Sequence, residues 1–140
     1  MDPVLHPQGL DQLITSFTER VPQVLHALVV SSDGVPVAVS DRIQPDHLEV
    51  LSATISGFIS LADGAGRILD CGAVTQGLVV MEQGTLVIMA INDGSSLAVL
   101  TTAAADLDLV AYEMTMLVEQ AGSILTPPAR GAVRDTGGTA

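Results

Sequence analysis

Residues 72–101, GAVTQGLVVMEQGTLVIMAINDGSSLAVLT, decide the fold of this chain. This stretch contains three runs rich in aliphatic and β-branched residues, 73–81, 85–91 and 97–101. They are separated by two short connections, Glu82-Gln83-Gly84 and Asn92-Asp93-Gly94-Ser95. Connections this short join antiparallel neighbours, because parallel strands need a long crossover. The sequence therefore predicts three successive antiparallel strands.

A second pair of strands is predicted before this stretch. Two β-rich runs, 24–30 and 35–39, flank Ser32-Asp33-Gly34. Asp-Gly between two such runs favours a tight hairpin, since glycine accepts the positive φ that the turn requires. Pro36 has no N–H to donate, so its strand is expected at an edge of the sheet. The runs are nearly continuous in Val, Ile and Leu, which indicates helices over both sheet faces.

Three helices complete the pattern. Apolar residues recur with helical spacing over 10–21, 45–68 and 106–121. Pro45 suits the first turn of the second helix, and Gly122 is predicted to cap the end of the third. The predicted fold class is α/β, a three-layer α/β/α arrangement around a five-stranded antiparallel sheet, in the order helix-ββ-helix-βββ-helix. We expect a flexible N-terminus, one domain and a disordered tail, at 1–7, 8–125 and 126–140.

The composition excludes several classes of protein. The chain has 140 residues, of which 48% are hydrophobic and 15% charged, and this suits a single globular domain. Sixteen acidic residues stand against five Arg and no Lys, which gives a formal net charge of -11. Such a surface lacks the basic stripe that binds nucleic acid or anionic lipid. The absence of Lys also excludes Schiff-base chemistry and the lysine-bearing phosphate loop.

The sequence also carries expectations about location. The first residues lack the basic and apolar regions of a signal peptide, and no apolar run approaches the roughly 18 residues of a membrane span. The single Cys71 has no partner for an internal disulfide. We therefore expect a cytoplasmic protein without direct membrane insertion.

The second helix has the character of an interface. It carries no charge from residue 50 to residue 62. Small residues recur on one of its faces at spacings of four, three and four, at Ala53, Gly57, Ser60 and Gly64. Small side chains allow another helix to approach closely. The alternative is that Gly57 makes room for the protein's own sheet or loops.

The third strand supports the same interpretation. The segment 71–81 contains no charge and no Pro, so as an edge strand it would lack the usual protection against strand addition. Pairing with its own copy across a two-fold axis would cover it, whereas a central strand would need no protection. Together the two features favour a homodimer. Its predicted interface residues are Ala53, Gly57, Ser60, Leu61, Gly64, Val74, Leu78 and Val80.

No motif in the chain predicts an active site. The three histidines, His6, His26 and His47, are scattered and lack the spacing of a metal site. Cys71 is expected to be a small buried hydrophobic residue rather than a nucleophile. We therefore expect no catalytic residue, no metal and no cofactor.

The sequence as a whole resembles a known protein family. The order of elements resembles the Roadblock (dynein light chain) family, as do HALVVSSDGVPVAVS (26–40), the stretch 72–101 and DLDLVAYEMTMLVEQAG (106–122). The chain is most similar to the bacterial MglB-type branch, in particular to short acidic members from actinobacterial conservon operons. The resemblance covers about 10–125.

The resemblance implies a non-enzymatic homodimer that binds a small Ras-like GTPase. In the family, the third strands of two protomers pair, and the second helices pack together on the face where the GTPase docks. The expected contacts are exposed residues of the second helix: Asp46, Glu49, Ser52, Ser56 and Asp63. Members of this branch regulate or activate GTPases without supplying an arginine finger.

Two alternatives stay open at this stage. The first is a scaffold or adaptor dimer that assembles a sensor-kinase signalling complex without changing GTP hydrolysis, since conservon neighbours include a sensor histidine kinase. The resemblance thereby implies that such partners could recruit the chain to the membrane. The second is a sensor of a small ligand or an unrecognised enzyme, which would require a pocket with converging polar groups.

Overall fold

The computed structural model describes residues 8–40 and 43–125. The expectations of a flexible N-terminus at 1–7 and a disordered tail at 126–140 lie outside these residues. Within the described ranges the helices are α1 (Gln8–Arg20), α2 (Pro45–Ile68) and α3 (Leu107–Leu125). The strands are β1 (Val24–Val30), β2 (Pro36–Val39), β3 (Gln76–Met81), β4 (Gly84–Ala90) and β5 (Ser96–Thr102). The predicted order of elements is confirmed.

The five strands form one antiparallel sheet in the order β2-β1-β5-β4-β3. β2 lies at one edge, as the position of Pro36 predicts. β3 lies at the other edge and pairs with β4 in unbroken register, from Gln76 opposite Met89 to Met81 opposite Gly84. β3 therefore has a hydrogen-bonding edge with which no strand of the described chain pairs.

Glycines set the two predicted Asp-Gly turns. Gly34 has a φ of 86° and Gly94 a φ of 95°, values that residues with a side chain rarely adopt. In the second turn, the backbone N–H of Ser95 donates a hydrogen bond to the carboxylate of Asp93 at 2.9 Å. These turns lie where the Asp-Gly pairs predict them, between β1 and β2 and between β4 and β5.

Separate apolar cores lie on the two faces of the sheet. On one face, α1 and α3 pack over the larger core, which includes the fully buried Phe17 and Met114. On the other face, α2 packs over a smaller core around Leu28, Ile55 and Ile88. The predicted fold class, a three-layer α/β/α arrangement with a five-stranded antiparallel sheet, is confirmed.

α2 buries little of its own surface. Of its 24 residues, all within the described chain, only Ser52 and Ile55 are buried. Its hydropathy averages 1.2 over an 18-residue window, so α2 is long and apolar enough to cross a membrane by length and composition. The expectation that no segment meets this criterion is wrong. The uncharged part of α2, 50–62, mixes large apolar residues with Ala, Gly and Ser, so it does not stand out as a continuous apolar run. Here Ile55 seats α2 on the sheet.

The end of α3 differs from the sequence expectation. The helix continues to Leu125, so Gly122 does not cap it. Gly122 is instead buried, and a Cβ there would lie 2.8 Å from Oδ1 of Asn92. The absence of a side chain at this position thus allows α3 to lie close to the turn between β4 and β5, and it does not end the helix.

The position of Cys71 also differs from its expectation. Cys71 is exposed rather than buried. Its backbone N–H donates a hydrogen bond to the carbonyl of Gly66 at 2.8 Å, which holds the loop after α2 against the end of that helix. The loop lies at the surface because the end of α2, to which it is attached, is itself exposed.

We predict that Gly66→Ala destabilises this loop. A Cβ at Gly66 would overlap the carbonyl oxygen of Gly72, so the backbone would have to move. The expected loss in the free energy of unfolding is about 1–3 kcal/mol, although alanine is otherwise favoured in a helix. Urea denaturation followed by circular dichroism measures it.

The control for this variant is Gly9→Ala in α1. A Cβ at Gly9 meets only the end of the Ile124 side chain, at 3.8 Å. This variant should be neutral or slightly stabilising. If Gly66→Ala were as stable as Gly9→Ala, the described path of the loop between α2 and β3 would be wrong.

Candidate protein-interaction surface

The edge strand β3 is apolar on both of its faces. Val79 and Met81 point toward α2, while Leu78 and, by alternation, Val80 point toward α3. Leu78 is 51% exposed and Val80 is 70% exposed. The strand contains no charge and no Pro, the features with which edge strands usually prevent further pairing. It is therefore open to the addition of another strand.

The outer side of α2 combines large apolar side chains with the predicted small-residue face. Leu61 is 80% exposed and Ile68 is 85% exposed, and Val50 is also exposed. Three of the four small residues are exposed and the last is half-buried, in the order Ala53, Gly57, Ser60 and Gly64. A Cβ at Gly57 would meet no described atom within 4 Å. The alternative that Gly57 makes room for the protein's own sheet is therefore wrong.

A groove of about 730 Å³ separates α2 from the part of the sheet that it leaves uncovered. The strands form its floor with His26, Leu28, Val79, Met81, Leu86 and Leu100. Leu51, Thr54 and Phe58 contribute to its wall on α2. Nδ1 of His26 is buried and has no hydrogen-bond partner among the described residues. The groove is thus largely apolar, and it reaches the β3 edge through Val79 and Met81.

Two contacts fix α2 relative to β3. The backbone N–H of Val74, just before β3, donates a hydrogen bond to the carboxylate of Asp63 at 2.8 Å. The ring of Phe58 packs on Gly77, where a Cβ would lie 2.7 Å from the ring. The exposed side of α2 and the edge of β3 consequently form one continuous surface. We call it the β3–α2 surface and define it by Val50, Leu61, Ile68, Leu78, Val79, Val80 and Met81.

The residues expected to contact a GTPase differ in accessibility. Asp46 and Glu49 are exposed near the start of α2. Ser56 is half-buried, and its hydroxyl donates a hydrogen bond to the carbonyl of Ser32 at 3.1 Å. Asp63 is half-buried and holds the N–H of Val74. Asp46 and Glu49 are therefore the most accessible of the expected contacts.

Ser52 is fully buried, so the expectation that it is exposed is wrong. At about 100° per residue, Ser52 falls roughly 60° from Ile55 around the helix, and Ile55 faces the core. Its hydroxyl has no hydrogen-bond partner within the described ranges. Ser52 is thus not accessible to a docking partner in this structure.

The groove was missing from the sequence interpretation, and so were Val50 and Ile68 among the large exposed side chains of α2, whereas Leu61 was predicted as an interface residue. The groove depends on where α2 crosses the sheet, and hydrophobic spacing does not show this. Val50 and Ile68 could have been found, because they fall within about 20° of Leu61 on a helical projection. The sequence interpretation considered mainly the small residues of α2, and so it selected the neighbouring Gly57 and Gly64 instead.

An open edge strand, and a sheet face only partly covered by one helix, define this chain as a small α/β interaction domain. A sequence model of the Roadblock/LC7 domain matches residues 10–101. The chain belongs to the Roadblock/LC7 family. Members of this family are generally non-catalytic regulators, which supports a regulatory role through protein interaction. No curated protein matches the sequence.

Solved structures agree with this assignment. A Roadblock/LC7 domain from Streptomyces avermitilis is 34% identical, with a TM-score of 0.77 over 82% of this chain and 96% of that one. A second domain from Streptomyces avermitilis is 40% identical, with a TM-score of 0.65 over 79% and 96%. MglB from Myxococcus xanthus is 12% identical, with a TM-score of 0.77 over 84% and 94%. At that identity MglB shares the fold alone.

We predict that Asp63 contributes to stability through its bond to Val74. Asp63→Ala removes the acceptor and should lower the free energy of unfolding by about 1–2 kcal/mol. Asp63→Asn keeps a carbonyl oxygen at the same position and should lose less than half as much. Urea denaturation of both variants measures the difference, and equal losses would contradict the role of this hydrogen bond.

Proposed function

We propose that this chain is a non-enzymatic regulator that dimerises through the β3–α2 surface and binds a small Ras-like GTPase on the α2 face. The observation that carries the proposal is the uncovered apolar edge of β3, continuous with the exposed side of α2. Contiguous exposed apolar surface on a soluble domain usually marks an interaction site. The family assignment supports an interaction role, and the resemblance noted above suggests the partner class.

A two-fold axis beside β3 would allow the free hydrogen-bonding groups of this edge strand to pair with a second copy. Two copies of β3 would pair antiparallel and extend the sheet without a break, since an isologous contact uses the same surface twice. The strand carries no charge, so the net charge of -11 on each chain is not concentrated at this contact. Of the predicted interface residues, Leu78 and Val80 lie on this strand, and Val74 lies just before it.

In a dimer with the same two-fold axis, the second copy would also fill the groove. The C-terminal half of α2 lies over the beginning of β3, through Phe58 on Gly77 and Asp63 on Val74. In an antiparallel pair, the beginning of one strand lies near the end of the other. The partner's α2 would therefore come over the Met81 end of β3, which is the end that lines the groove. We propose that exposed α2 side chains such as Leu61 pack there on the second copy.

We predict that Leu78→Lys weakens dimerisation. The substitution places one lysine from each copy near the two-fold axis, where the two positive charges repel each other and are partly desolvated. It should therefore weaken the dimer at least about tenfold. The control is Leu25→Lys on β1, because Leu25 is similarly exposed, at 47% against 51% for Leu78. Sedimentation equilibrium measures both variants, and a Leu78→Lys protein that dimerises like the control would contradict this interface.

We propose that the GTPase binds on the side of the sheet that α2 covers. Asp46 and Glu49 are exposed there, and a dimer would present them twice. Acidic groups at the rim of an interface mainly accelerate association with a basic partner surface. Ser56 and Asp63 lie further along the same helix, half-buried, and we place them at the margin of this contact.

Single-turnover GTP hydrolysis tests the GTPase proposal. We would use a Ras-like GTPase encoded beside this gene, with and without this protein, and measure binding in the GDP and GTP states. GTP-selective binding with faster hydrolysis is the expected result. Binding without acceleration would favour the scaffold that assembles a sensor-kinase complex. The absence of binding in either state would contradict the GTPase proposal.

We predict that Asp46→Asn together with Glu49→Gln weakens GTPase binding roughly three- to tenfold, chiefly through slower association. The matched control is Asp11→Asn with Glu19→Gln, which neutralises two exposed acids of α1 on the opposite face. Titration of a labelled GTPase at two salt concentrations measures both variants. Equal weakening by the two pairs would indicate a general charge effect and contradict a contact at the start of α2.

A further inference from the structure

An apolar stripe lies on the outer side of α3, on the face of the sheet opposite α2. Leu109, Tyr112 and Met116 are 45%, 61% and 49% exposed. At about 100° per residue these three positions fall within roughly 60° of one another around the helix. The buried face of α3, with Val110 and Met114, points the other way. The proposed dimer contact adjoins the start of α3, where Leu107, Asp108 and Ala111 line a pocket with Leu78, but neither it nor the GTPase contact uses the three residues of the stripe.

Acidic groups border the stripe on both sides. Asp108 and Glu119 flank it on one side and Glu113 on the other, and α3 contains no basic residue. The neighbouring α1 contributes Arg20, and this guanidinium is already held by the carboxylate of Glu113 at 2.7 Å. The stripe is thus bordered by Asp108 and Glu119 on one side and by the Arg20–Glu113 ion pair on the other. This surface is complementary to an apolar stripe that carries basic groups along one side.

We propose that the α3 stripe is a second docking surface, which binds a positively charged amphipathic helix of another protein. The three apolar side chains would provide the buried contact, with Tyr112 as its central anchor, because aromatic residues often dominate such interfaces. The acids would pair with Lys or Arg beside the apolar face of the incoming helix. A second copy of this chain, or an anionic membrane, would bring like charge against the same acids.

The chain contains its own reporter for this site. Tyr112 is its single tyrosine, and the chain has no tryptophan, so all tyrosine emission comes from the stripe. The probe is a synthetic Leu/Lys amphipathic helix with one Trp on its apolar face, titrated into the full-length protein. We expect saturable energy transfer from Tyr112 to that Trp, weakened by added salt. A Leu/Glu helix of the same pattern should give no transfer.

Variants distinguish the stripe from the other exposed apolar surface. Leu109→Gln with Met116→Gln keeps the reporter and should weaken binding of the Leu/Lys helix at least about tenfold. The matched control, Val50→Gln with Leu61→Gln on α2, should change it less than about threefold. The reverse order of effects, or equal binding of the Leu/Glu helix, would overturn the proposal.

Two further results would also overturn it. If Leu109→Gln with Met116→Gln lowered the mass of the assembly in solution, the occupant would be a second copy. If phosphatidylglycerol vesicles changed Tyr112 emission in the wild type but not in the Leu109→Gln, Met116→Gln variant, the occupant would be a membrane. A normal GTPase response in the α3 variants would leave the proposed function intact, so the two proposals fail separately.

Discussion

An unpaired strand edge is the constraint on which the rest of this structure depends. Within the described ranges, β3 ends the sheet with free hydrogen-bonding positions and with Leu78 and Val80 largely in solvent. Full burial of a Val, Leu or Ile side chain stabilises a protein by about 1.5–3 kcal/mol. Covering these side chains together with Leu61 and Ile68 of α2 would therefore contribute several kcal/mol. A second copy of the same surface can provide that cover without any change in the fold.

α2 connects this edge to the side of the sheet on which we propose that the GTPase binds. Ile55 seats the helix on the sheet, and the bond between Asp63 and Val74 ties it to the start of β3. The tight loop after Ile68, packed against Gly66, returns the chain to the strand. Because α2 buries so little of itself, its remaining surface is free to interact. The helix that resembles a membrane span by composition is thus held on the sheet by a few specific contacts.

Much of this fold could be predicted from the sequence, because its signals are local. Asp-Gly turns and short connections defined the hairpins, and the bounds predicted for α2 agree with the structure. The edge position of β3 could not be decided, since strand order depends on pairing between distant segments. Gly122 and Ser52 were misread for a related reason: their roles depend on Asn92 and on the rotation of α2 against the core, and neither is visible in local spacing.

The most direct test of this account is amide hydrogen exchange along β3, measured by NMR on the full-length wild-type protein. In an isolated chain, only the amides that bond to β4 would be protected, and alternate positions of Gln76–Met81 would exchange freely. The account predicts that both sets are protected at high protein concentration, and that the outward set loses protection on dilution. Free exchange of the outward set at every concentration would show that β3 does not pair with a second copy.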